Sequence, residues 1–79
     1  MSEAKYMVMP DDAARIDRVF TYHAPQDDQP DRYVTLREHA RALALLILAN
    51  TPKSREQSVA LTKLEEVAFW ANAAIARNE

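Results

Sequence analysis

The sequence has no glycine and no cysteine, and only four prolines in 79 residues. Without glycine there is no phosphate-cradling Gly-rich loop and no nucleophile elbow. Without cysteine, disulfides and thiolate metal sites are excluded, and the chain is compatible with a reducing compartment. The two histidines, His23 and His39, stand too far apart in sequence for a metal-ligand motif, and no HExxH is present. The longest apolar run, Ala42 to Ala49, is far too short to cross a bilayer. The opening Met1-Ser2-Glu3-Ala4-Lys5 has no apolar stretch fit for a signal peptide, so a soluble, non-secreted protein is expected. No motif calls for a cofactor. The net charge of −2 and a pI near 5.6 argue against binding duplex nucleic acid, which needs a basic surface.

Seventy-nine residues make one domain, and a core this small is marginal by itself. With disulfides and metals set aside, oligomerisation is the remaining means of burying enough apolar surface. The charge is unevenly spread. Residues 1–31 carry three basic and seven acidic side chains, whereas residues 32–79 carry seven basic and five acidic ones. The second segment is mildly cationic and suited to a small anion.

What is present is helical periodicity. Residues 1–30 read as an N-terminal arm, a short helix and a loop. Tyr6-Met7-Val8-Met9 is apolar and fits a short strand or a docking segment. Pro10 with Asp11 and Asp12 marks a helix start, and Ile16, Val19 and Phe20 give that helix (about 11–19) one apolar face. His23 to Pro30, with two prolines and paired aspartates, is a loop.

Residues 31–79 read as a helical hairpin. The first long helix is expected from an Asp31 N-cap to Asn50, with Tyr33, Leu36, Ala40, Leu43 and Ile47 forming one stripe. Leu45, Leu46 and Leu48 widen the apolar arc, so this end should be buried in an assembly. Thr51-Pro52 stops the helix, because the residue before proline is driven out of the helical region. Ser54-Arg55-Glu56-Gln57 is a capping box that starts a second helix running to about Ala76. Its main stripe is Leu61, Leu64, Ala68, Ala71 and Ile75, with Val67, Trp70 and Ala74 adjacent. The fold class is all-α: an antiparallel two-helix hairpin with a short N-terminal helix, assembling into a homo-oligomer.

Catalytic signals are weak. Ser54 and Ser58 have no base in a known motif, and Glu65 and Glu66 point about 100° apart on a helix. An enzyme is not expected. Arg37 and Arg41 lie one turn apart and read either as a solvated pair or as a phosphate clamp. Tyr22 and His23 offer a stacking ring and a hydrogen-bonding ring, or simply a tyrosine packed on the hairpin. Arg77 either complements the helix C-terminus or meets an anion. Trp70 reads as an interface anchor before a ligand platform.

Four segments carry a resemblance. They are Phe20-Thr21-Tyr22-His23-Ala24-Pro25, Arg32-Tyr33-x-x-Leu36-Arg37, Thr51-Pro52-x-Ser54-Arg55-Glu56-Gln57-Ser58, and Leu61 to Glu65 continuing through Trp70 to Asn78. Together they resemble the phage anti-CBASS/anti-Thoeris cyclic-nucleotide sponge family over roughly residues 20–78. The resemblance implies a protein that sequesters cyclic oligonucleotide or cyclic ADP-ribose-type messengers without cleaving them. It also implies a compact homo-oligomer, often a hexamer, with pockets between protomers, working in the cytoplasm of the host bacterium. Tyr22 then resembles the aromatic that stacks on a base, with His23 beside it. Arg37 falls where a basic residue meets phosphate, and His39 where a neighbouring protomer contributes a polar group. Members with a second, cyclic-trinucleotide site use arginines of the last helix. Ala73 occupies one such place here, and Arg77 is the arginine left on the final turn. A helical protein-interaction module without a nucleotide ligand is the alternative from a different class; it would use Trp70 or the Leu45–Leu48 region against its partner.

Overall fold

Helix α1 (Pro10–Phe20) begins where a proline with preset φ is followed by two aspartates, whose charge suits the first turn. The computed structural model describes residues 4–79, and α1 is the first of three helices, followed by α2 (Gln29–Asn50) and α3 (Arg55–Asn78). Residues 1–3 of the N-terminal arm lie outside the described residues. Tyr6 to Met9 form no strand.

The N-cap of α2 lies three residues earlier than the expected Asp31. Asp28 is the N-cap residue, without a side-chain cap, and Pro30 and Asp31 lie in the first turn. The early start follows from Pro30, whose fixed φ suits the first helical turn. The preceding turn uses Asp27 at φ 51°, a left-handed conformation that falls to Asp in a chain without glycine. α2 ends as expected: Thr51, held extended before Pro52 (φ −132°, ψ 149°), is its C-cap.

The Ser54 cap of α3 is present, its hydroxyl accepting from the Gln57 amide at 3.1 Å. The reciprocal half of the expected capping box is replaced. The Gln57 carboxamide turns across the hairpin and donates to the Thr51 carbonyl (3.1 Å) and hydroxyl (3.0 Å). Thr51 in turn donates its hydroxyl to the Ile47 carbonyl at 2.6 Å. The Gln57 carboxamide nitrogen finds its acceptors at the end of α2, which draws the side chain away from the Ser54 amide that a capping box would offer to its oxygen. α3 runs on to Asn78, about 36 Å at 1.5 Å per residue.

α2 and α3 pack antiparallel. The inward stripe of α3 is the expected one, Leu61, Leu64, Ala68, Ala71 and Ile75, all half-buried. On α2 the seam is Tyr33, Ala40, Ala44 and Ile47; the expected Leu36 and Leu43 stay exposed at the flank, beside Val67. The alanines of α3 narrow the seam, so the small Ala44 faces it and the larger Leu43 is turned aside.

Among the described residues no apolar side chain is fully buried, and the most enclosed residue is Gln57, 9% exposed. The radius of gyration is 18.1 Å, against about 12 Å for a compact chain of this length. The accessible surface is 7049 Å², against about 4,900 Å² for a compact monomer of this mass. No described helix is long and apolar enough to cross a membrane.

Candidate functional site

The hairpin has a closed end, at Thr51–Ser54, and an open end. At the open end the last turn of α1, the loop after it, the start of α2 and the last turns of α3 border one cleft of about 430 Å³. Each wall has a different origin. Arg18 and Val19 come from α1, Tyr22, His23 and Pro25 from the loop, Tyr33 from α2, and Asn72, Ala76 and Arg77 from α3. Three residues singled out in the sequence, Tyr22, His23 and Arg77, are thus brought together from positions more than fifty residues apart. Tyr22 is 84% exposed, so it is not packed on the hairpin, and its ring face is free to stack.

Arg77 also lies over the indole of Trp70, 5.8 Å from the ring centroid, a cation–π arrangement that orients the guanidinium. Trp70 itself is 66% exposed and adjoins the exposed Phe69.

Arg37 and Arg41 share a groove on one flank, with Ala44, Leu48 and Glu65, as their spacing predicts. Arg37 also borders a second hollow, lined by Phe69 and Asn72. Asn72 therefore touches both that hollow and the Tyr22 cleft, and its carboxamide oxygen is enclosed without a hydrogen-bond partner. Tyr22 and Arg37 line different hollows, with Asn72 between them. His39 stands on the other flank with Leu36, Leu43 and Val67. Its Nδ1 lies 2.8 Å from the Thr35 carbonyl, so Nδ1 is the donor of that bond.

The open end is tied by charge. Arg32 donates from Nη1 to Glu79 Oε2 at 2.7 Å and from Nη2 to Glu79 Oε1 at 2.5 Å, a bidentate pair, and Nη2 also reaches Asp28 at 3.1 Å. Gln29 adds a bond to the same carboxylate at 3.2 Å. The hydrogen bond from Arg32, then that from Gln29, holds the Glu79 carboxyl down at about 2, well below its ordinary 4.5. Glu79 in turn raises the Arg32 pKa.

Sequence reasoning missed Arg18, Asn72 and the Arg32–Glu79 pair. Asn72 did leave a signal: it is a polar residue in the Ala-rich end of α3, flanked by Ala71 and Ala73. Arg18 and the ion pair left none, because their partners are distant in sequence.

These features define a class, an all-helical hairpin domain with an aromatic and cationic cleft at its open end. The family described as Acb2/Tad1, hairpin domain, matches residues 12–76, most of the chain. The protein belongs to that family, the phage anti-CBASS and anti-Thoeris sponges. No curated protein and no solved structure matches the chain.

Proposed function

We propose that this protein binds a cyclic nucleotide messenger of bacterial immunity and holds it without cleaving it, as a homo-oligomer in the host cytoplasm. The observation that carries the reading is the open-end cleft, where an exposed Tyr22 ring stands with His23, Tyr33 and the two arginines Arg18 and Arg77. A base stacked on an aromatic contributes about 1–3 kcal/mol. A charge-assisted hydrogen bond to phosphate contributes about 1.5–3 kcal/mol. A cyclic ligand that meets such a set twice across a two-fold axis reaches sub-micromolar affinity, about −8 kcal/mol or better, with no covalent chemistry.

The family's pockets lie between protomers, and that supports a site in which Tyr22 of one chain faces Arg37, Arg41 or His39 of another. Two quantities support assembly. The chain exposes about 2,000 Å² more surface than a compact monomer of its mass, on the scale that obligate interfaces bury. The exposed apolar residues Phe69, Trp70, Leu45, Leu46 and Leu48 form faces that self-association would cover. A hexamer is the assembly the resemblance favours. The same faces are what a protein-interaction module would use, so the two readings part on the ligand.

The test is calorimetric titration with a panel of cyclic di- and trinucleotides and cyclic ADP-ribose isomers, with solution mass recorded alongside. Tight binding by an oligomer and recovery of the ligand intact are expected. No heat with any ligand, and no nucleotide released on denaturing the protein, would leave the interaction module as the reading.

A further inference from the structure

We propose that Arg32 is a positioning residue: through its ion pair with Glu79 it holds the walls of the Tyr22 cleft in place. The effect on ligand rests on that cleft being the binding site; the effect on the loop does not.

The cleft has no apolar core behind it. Tyr22 is almost fully exposed, and α1 has no packing against α2 or α3 comparable to that of α2 on α3. Polar bonds must therefore set the loop against the two long helices. Arg32 adjoins Tyr33 in sequence, and Glu79 lies two residues beyond Arg77. Their bidentate pair couples the immediate neighbours of two cleft walls across 47 positions of sequence.

The third wall is tied to the same carboxylate. Gln29 donates to Glu79 from its Nε2, while its Oε1 accepts from the Gln26 amide at 3.0 Å. The Gln29 amide donates back to the Gln26 carbonyl at 2.9 Å. Arg32 also grips Asp28 directly at 3.1 Å. The loop that carries Tyr22 and His23 is thus fastened at its far end to the end of α3. A lone exposed ion pair does little, but a planar fork on a carboxylate that also serves Gln29 is a network, and networks hold geometry.

Arg32 does not compete for a ligand phosphate. Both of its terminal nitrogens are engaged by carboxylates, and its Nε is enclosed within the protein. Its role is to limit the freedom of the loop before ligand arrives, which reduces the ordering cost of binding.

The experiment uses the full chain and the variants Arg32→Met, Glu79→Ala, their combination, and Arg32→Lys. Two quantities are read: amide hydrogen exchange of residues 21–29 without ligand, and affinity for cyclic di-AMP and cyclic GMP–AMP. Helix content and solution mass should match the parent. Each single change should speed exchange at Gln26 and Gln29 about fivefold and weaken binding by a similar factor, and the combination should lose no more than Arg32→Met alone. Exchange at Ser58, on the closed end, should not move. Arg32→Lys keeps the charge without the fork and should recover part of both losses. Unchanged exchange across 21–29, or losses that add in the combination, would overturn the latch. If the parent binds neither nucleotide while the variants loosen the loop, the latch stands and the sponge reading fails for these ligands.

Discussion

The two ends of the hairpin are joined by opposite means. The closed end is sealed by neutral hydrogen bonds between residues three to six apart: Ser54 to Gln57, and Gln57 to Thr51. The open end is sealed by a charged fork between residues 47 apart, at the surface and beside a cleft. The closed end is a turn the chain forms locally, whatever the rest of the molecule does. The open end exists only once both helices are complete and antiparallel. The local turn stands away from the cleft, and the charged junction stands where the aromatic and cationic side chains gather.

The difference can be broken first at the ligand. Tyr22→Ala and Arg37→Ala should each weaken cyclic nucleotide binding about tenfold or more, the scale of one lost stacking contact or one lost phosphate bond, with solution mass and thermal midpoint unchanged. Titration calorimetry on both variants decides it; unchanged affinity in both removes these residues from the site. Next comes the closed end. Gln57→Leu leaves the Thr51 carbonyl and hydroxyl without their donor and should destabilise the fold by about 1–3 kcal/mol. Thermal unfolding at fixed protein concentration reads this, and affinity per folded molecule should hold. Ser54→Ala, which removes the cap and the hydroxyl's bond to the Pro52 carbonyl, should lose about 1 kcal/mol in the same measurement.

The smallest effect separates the two ends by pH. The Glu79 carboxyl titrates at about 2 when folded and near its ordinary 4.5 when unfolded. A depressed pKa means that the latch's stabilisation is fully present above about 4.5 and is lost as pH falls through 2. The difference in thermal midpoint between the parent and Glu79→Ala should thus be constant from neutral pH to about 5 and shrink below it. The Gln57→Leu deficit carries no charge and should keep its size over the same range.

The closed end was legible because its signals are local. Proline after Thr51 ends a helix, and serine three residues before glutamine starts one. Even there the sequence misassigned the Gln57 side chain, because two acceptors on the neighbouring helix were invisible to a local motif. The same limit moved Leu43 off the seam: spacing allows either Leu43 or Ala44, and only the close approach of α3 chooses the smaller. The start of α2 shifted because Pro30 and Asp31 both suit a first turn, and spacing alone does not rank them.

At the site the division is sharper. Tyr22, His23 and Arg77 could be singled out by residue type and resemblance, but Arg77 could not be placed beside the other two. Arg18 and Glu79 gave no cue at all, and Asn72 gave one only as a polar residue among alanines. The sequence by itself determined the helices, the turn between them and the want of a self-sufficient core, because propensity, capping and composition act over a few residues. Which side chains meet at the open end was decided only by the tertiary structure. Those meetings join segments some fifty residues apart, and they require two long helices to end side by side.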